Sequence, residues 1–419
     1  MTKQEFMKGL AITLMMAACT TEREGDAPSP VVCPVAGIEL TRAEKDLVLS
    51  NNDFAFNLLR QATAIDETGT PQERTLVLSP FSITTVLSML NNGAAGQTQQ
   101  QINQVLGFTD VSQANLFCQK LMLQAPRLDD KTHIAIANNI YVNKGYQLKP
   151  DFLQTAQSYY QAQPTTLDFH DAHTIDIINQ WAQDHTEDMI SKVVDEDSFE
   201  PDAISYMLNA TYFKGEWACK FNADMTREEP FYSELDNKIV RRVPMMQQEG
   251  TFGYTQSDDY QLLQMPFGNG LFAMTFILPK EGKTLHDVKS SIGGGWWQEL
   301  RKRLISEKVQ VKIPRFEIST NIDLAQLMSD LGMPLAFTEA AEFPDLCQQP
   351  AFIGKMNQCA RIKVNEQGAE AAAVTTVPII CTSFLGTAFV ANRPFLYVIS
   401  EQSTGTILFI GQYTGVEEK

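Results

Sequence analysis

The sequence lacks the short motifs that mark common enzymes. It contains no Gly-x-Ser-x-Gly, hence no nucleophile elbow, and no His-Glu-x-x-His, hence no helix-borne zinc pair. Its seven cysteines include no Cys-x-x-Cys, and none stands at a zinc-site spacing from histidine. Their scatter offers no disulfide framework, so they read as mostly free thiols. Positive charge is scarce: 33 Lys and Arg stand against 50 Asp and Glu, a net charge of -17. That balance argues against nucleic acid and anionic membrane surfaces, since either needs a basic patch. There is no internal repeat and no low-complexity tract. The apolar run at residues 10–18 is too short to cross a bilayer.

Some near-misses remain. Gly282-Lys283-Thr284 looks like the end of a phosphate loop, but Ile277 stands where the first glycine belongs. It reads as a turn after a strand at 272–278. Gly293-Gly294-Gly295 has no following Lys-Ser/Thr and reads as a loop. Asp168, His170, Asp171 and His173 lack the helical spacing of zinc ligands and read as a solvated loop. The chain is therefore expected to need no metal and no cofactor, and not to be an enzyme.

What is present begins with an export segment. Lys3 and Lys8 precede the apolar run, which ends Met16-Ala17-Ala18-Cys19. This resembles a bacterial lipoprotein cleavage box, with residues 1–18 as signal peptide and Cys19 as the lipidated N-terminus. A plain secretory signal with an incidental Cys is the alternative. Residues 19–40 carry Pro28, Pro30, Pro34 and Gly25 without apolar periodicity, and read as a flexible tether. The expected location is the outer membrane or cell surface, held by lipid only. A secreted or periplasmic protein is the other reading.

The whole chain is 44% hydrophobic and 20% charged, ordinary globular composition, and from Thr41 onward it reads as one large mixed domain, residues 41–419. Phe54, Leu58 and Leu59 share a face of a helix at 47–62. Leu76-Val77-Leu78 is a short strand. Ser79-Pro80-Phe81-Ser82 turns into a helix, with proline suited to its first turn. Residues 137–142, 208–217 and 309–316 read as strands, and 323–332 as a helix.

Residues 364–383 do not fit a single class. Glu370, Ala371, Ala372 and Ala373 favour helix, whereas Val374, Thr375, Thr376 and Val377 favour strand. Composition alone favours an Ala-rich helix end running into a loop. Read as a strand, Ala369, Ala371, Ala373 and Thr375 share one face and Glu370 lies on the other. Gly368 allows a hinge before them.

The surroundings carry a resemblance. Glu366-Gln367-Gly368-Ala369-Glu370-Ala371-Ala372-Ala373 stands between Ala360-Arg361-Ile362-Lys363-Val364 and Asn392-Arg393-Pro394-Phe395. Upstream lie Ser79-Pro80-Phe81-Ser82-Ile83, Asn179-Gln180-Trp181 and Leu208-Asn209-Ala210-Thr211-Tyr212-Phe213-Lys214-Gly215-Glu216-Trp217. Together and in this order they resemble the serpins, the serine-protease-inhibitor family. The resemblance implies an α+β fold, a single domain with three sheets, about eight or nine helices and an exposed reactive loop. It implies irreversible inhibition of a protease by loop cleavage and insertion of the loop into the central sheet. Glu366, Gly368, Ala369, Glu370, Ala371, Ala372 and Ala373 would form the hinge. Ser79, Ser82, Asn209 and Gln358 would lie beneath the parting strands, with Trp217 at the top of the opening. The family usually has His where this chain has Gln358, which removes a pH-sensitive group.

Counting from Glu366 places the reactive bond between Thr382 and Ser383; counting back from Arg393 places it after Ser383. No Arg or Lys lies near it, so elastase-like serine proteases are the expected partners, with papain-like cysteine proteases as a further class. The protein is expected to be a monomer. A non-inhibitory carrier or chaperone of the same fold is the alternative function.

Overall fold

The computed structural model describes residues 36–64, 74–197, 199–234, 236–369 and 386–416. Its first helix, Arg42–Ala62, begins five residues earlier than periodicity suggests. Thr41 accepts the N–H of Glu44, and the Glu44 carboxylate accepts the N–H of Thr41, a reciprocal cap. Val48, Phe54, Leu58 and Leu59 then face the core. Upstream, Ile38 is buried and its N–H donates to Ser403 Oγ (2.9 Å).

The helix Pro80–Asn91 is buried along its whole length. A helix buried all round needs partners on every side. It lies inside the main core, its polar face turned to the underside of a sheet through Ser82 and Thr85. Nine α-helices occur among the described residues.

The strands form the three expected sheets, two of which share a strand. Ile239–Gln256 pairs near its start with Arg227–Tyr232, then with Ile305–Pro314, and at its end with Tyr260–Phe267. Beyond Tyr260–Phe267 lie Phe272–Pro279, Phe395–Glu401, Ile407–Tyr413 and Leu76–Leu78. Phe272–Pro279, Phe395–Glu401 and Ile407–Tyr413 are buried at every position. Thr387–Val390 lies parallel to Ile305–Pro314 on its other edge.

The remaining sheet holds the site. Its order is Phe316–Asp323, Lys355–Val364, Ser205–Glu216, Thr132–Asn143, Thr165–Leu167. Lys355–Val364 and Ser205–Glu216 run parallel, whereas their pairings with Phe316–Asp323 and Thr132–Asn143 are antiparallel.

Two expectations are corrected here. The strand read at 309–316 is two strands in different sheets, parted at Arg315, whose N–H donates to Pro244 O (2.8 Å). Pro314 cannot donate to a ladder, so the first strand ends there. The triple glycine is no loop: Gly294–Arg303 is a helix. Asp53 Oδ1 accepts the N–H of Gly294 (2.7 Å) and fixes its first turn. A Cβ on Gly294 would sit 2.6 Å from that same oxygen, so close approach, not turn formation, demands the glycine.

Candidate functional site

The site is the seam between the two parallel strands and the turn above it. Eight residue pairs, from Lys355↔Tyr206 to Ile362↔Phe213, hold the seam shut. The first strand continues to Val364 and then reverses. Asn365 and Gly368 exchange backbone hydrogen bonds (2.8 and 3.2 Å) around Glu366-Gln367. The returning chain, Gly368–Ala369, pairs antiparallel with Glu216 and Gly215. A strand thus begins between the two seam strands at their upper end and runs downward.

The turn is held from several sides. Trp217 N–H donates to Gln367 O (2.8 Å) and Phe221 N–H to Glu366 O (2.8 Å). The Trp217 indole Nε1 donates to Asn365 O (2.9 Å), and its ring stacks on Phe267 at 4.4 Å. The Glu366 carboxylate is buried; it accepts Thr226 Oγ1 (2.7 Å) and lies 3.5 Å from Arg315 Nη1. Gly368 has φ +143°, and a Cβ there would meet Gly215 O at 2.0 Å. No side chain fits, which is why this turn position is glycine.

Lower down, a polar row crosses the seam. Asn138, Asn209 and Gln358 are register partners on three neighbouring strands. Gln358 Nε2 donates to Asn209 Oδ1 (2.6 Å) and to Ser79 O (3.1 Å), while Gln358 Oε1 accepts Ser79 N–H (3.0 Å). Asn209 Nδ2 donates to Ser82 Oγ and to Asn138 Oδ1. Asn138 Nδ2 donates to Thr85 Oγ1 (2.6 Å). All of these residues are buried. Such groups must stay paired at every stage of an opening, so a chain of exchangeable amides and hydroxyls suits a seam that parts.

Ser79, Ser82, Asn209 and Gln358 therefore converge as one network, and Trp217, Glu366 and Gly368 as a second cluster at the turn. Ala369 is placed by its backbone. Cys19, Glu370, Ala371, Ala372, Ala373, Thr382 and Ser383 lie outside the described residues. Sequence reasoning missed Asn138 and Thr85. An asparagine inside an otherwise apolar strand was the available signal, because such positions disfavour it. Asp168, His170 and Asp171 form a surface turn, with Asp168 paired to Lys144 (2.9 Å). Cys118, Cys219, Cys347 and Cys359 are free thiols. Burial pushes the thiol of Cys359, on a seam strand, up to about 12.

Comparison with known proteins places this geometry. A family model described as serpin (serine protease inhibitor) matches residues 49–415. An uncharacterised serpin-like protein of Thermococcus kodakarensis is 30% identical over 88% of this chain and 85% of its own. Human neuroserpin is 27% identical over 86% and 89%. Among solved structures, the thermophilic serpin tengpin in its native state superposes with a TM-score of 0.81 at 24% identity, over 91% of this chain and 96% of its own. Human thyroxine-binding globulin with bound thyroxine gives 0.79 at 26%, over 88% and 98%. The family match spans the polar row, the hinge turn and the strands that follow it, and so this chain belongs to the serpin family.

Proposed function

We propose that the protein is a suicide-substrate inhibitor of elastase-like serine proteases. The observation that carries this reading is the short antiparallel pairing of Gly368–Ala369 at the top of a parallel seam. A strand entering there is antiparallel to both neighbours, and antiparallel pairing is slightly the more stable per residue. A relative named intracellular coagulation inhibitor 2, from Tachypleus tridentatus, is 28% identical over 88% of this chain and adds support.

The chemistry follows from a peptide bond offered as bait. The protease nucleophile adds to the carbonyl carbon of Thr382, the bond to Ser383 breaks, and the proton passes to the departing amine. Thr382 remains on the enzyme as an ester. The freed strand then zips into the seam before water can hydrolyse that ester. Small and aliphatic residues, Ile379, Ile380 and Thr382, suit elastase-like pockets. A papain-like cysteine protease would form a thioester by the same route.

The test is incubation with pancreatic elastase. A covalent complex that survives boiling in detergent is expected, with release of a fragment beginning at Ser383. A fragment beginning at Phe384 moves the bond one residue on. Clean nicking without a complex means a carrier or chaperone of this fold. Thr382→Arg is expected to create inhibition of trypsin-like proteases and weaken that of elastase.

We also propose that Cys19 is lipidated and tethers a monomeric inhibitor to the outer membrane or cell surface. Cys19→Ser should move the protein to the soluble fraction; equal fatty-acid labelling of both forms would refute the anchor.

A further inference from the structure

Thr132–Asn143 has a second edge that the sheet leaves open. Three contacts fix which backbone groups turn inward. Ala135 O accepts Thr211 Oγ1 (2.9 Å), Asn143 N–H donates to Ile204 O (2.9 Å), and Lys131 O accepts Glu216 N–H (3.1 Å). Odd-numbered residues therefore face Ser205–Glu216. Alternation turns the N–H and C=O of Ile134, Ile136, Asn138 and Ile140 outward. Among the described residues, that outer edge is paired at Tyr141–Asn143 alone, in parallel with Thr165–Leu167. The rest is an unpaired edge, the usual template for an added strand.

A trough follows this edge. One hollow of about 240 Å³ runs beside Ile134 to Asn138, walled by Leu121, Met122 and Tyr160. It shares Gln163, Trp181 and His185 with a wider hollow of about 550 Å³ reaching Asn139 and Tyr141. One wall is apolar, and the other carries polar groups. Asn139 is buried, and its Oδ1 has no hydrogen-bond partner among the described residues. Asn139 is among the residues lining the wider hollow. Asp176 and Asp184 stand beside it, and no Lys or Arg lines either hollow.

We propose that this trough docks an extended peptide of a partner protein, apolar on alternate residues and basic at one end. Main-chain bonds to the outward groups of Ile134, Ile136, Asn138 and Ile140 hold it as an extra edge strand. Its apolar side chains pack against Leu121 and Met122. Its basic end lies by Asp176 and Asp184. The site is separate from the seam, and this inference does not rest on protease inhibition.

The probe is a fluorescein-labelled heptapeptide of alternating Val and Thr ending in Lys, read by fluorescence anisotropy on the full chain. Saturable binding is expected. The same peptide N-methylated at alternate residues should bind about tenfold or more weakly, because ladder bonds are lost without touching the protein. Ala137, half-buried beside the trough, offers a block: Ala137→Arg should abolish binding while leaving the unfolding midpoint near that of the parent. No saturable binding, or equal binding of the N-methylated peptide, would overturn the proposal. Binding that persists in Ala137→Arg and prevents complex formation with elastase would overturn it too, since the peptide would then occupy the seam.

Discussion

Gly368 is where the turn above the seam is least forgiving. With φ at +143° and Gly215 O 2.0 Å from any added Cβ, Gly368→Val must dislodge the returning strand from Glu216 and Gly215. The cost in the uncut protein should be about 1–3 kcal/mol, the usual range for enforced backbone strain. Once the loop is cut and fully inserted, that residue has a regular strand conformation open to it. The variant should therefore lower the unfolding midpoint of the uncut protein far more than that of the cut one; equal losses in both would argue against a hinge there. Lys289 makes a different prediction. It is buried, donates to Thr63 Oγ1 (2.7 Å) and Gln412 Oε1 (3.1 Å), and burial pulls its ammonium down to about 8, partly opposed by Glu234. The unfolded chain holds that proton up to about 10.4. Between these values the unfolded state binds more protons, so stability rises with pH there. At neutral pH the burial cost is fully present. Lys289→Met should stabilise by about 1–2 kcal/mol at pH 7, net of the lost hydrogen bonds. The gain should shrink as pH approaches about 10. Urea midpoints of both proteins at several pH values test this, and a pH-independent difference would sink it.

The polar row under the seam behaves as one element. Gln358 uses its oxygen for Ser79 N–H and its nitrogen for Asn209. A neutral histidine could do both, but an imidazolium has no acceptor left. Gln358→His should match the parent above about pH 6.5. Below that it should lose about 1–3 kcal/mol as Ser79 N–H loses its partner. A variant as flat with pH as the parent would show that the row tolerates an orphan donor. The inserting stretch has its own test. If the loop inserts as proposed, Ala371→Arg would put an unpaired charge on the entering face, at a cost of several kcal/mol once buried. The variant should be cut at the same bond and released, so many more inhibitor molecules are consumed per protease inactivated; Glu370→Arg, on the other face, should do much less. At this scale the sequence was legible wherever a motif carried its own backbone chemistry. Ser79-Pro80 announced a helix start, and Gly368 announced a backbone position that only glycine fits. Arg315 was not legible, because the crossing to another sheet depends on Pro244, far away in the chain. Gly294 was misread for the same reason: Asp53 makes it helical. The Asn138 role escaped because its partners, Thr85 and Asn209, come from separate elements.

The seam is closed by parallel pairs; on the proposed function a better-paired strand would replace them, and the uncut fold would be metastable. Cutting the loop should therefore raise the unfolding midpoint well above that of the intact protein; identical calorimetric traces would rule insertion out. The pairing at the hinge also acts as a ruler. Gly368 opposite Glu216 and Ala369 opposite Gly215 set a register that can be run to the bottom of the sheet. On it Ile379 falls opposite Ser205, the first residue of that strand and its lower end, and Thr382 lies beyond. From the turn to Thr382 the chain would extend roughly 45 Å at strand spacing. A protease esterified to Thr382 would be carried from one pole of the inhibitor to the other and past the edge of the sheet. A bait bond a few residues earlier would stop it short, beside the strands. On the proposed function, loop length, more than loop chemistry, would then decide whether the captive enzyme is pressed against the far end of the sheet or merely towed along its face.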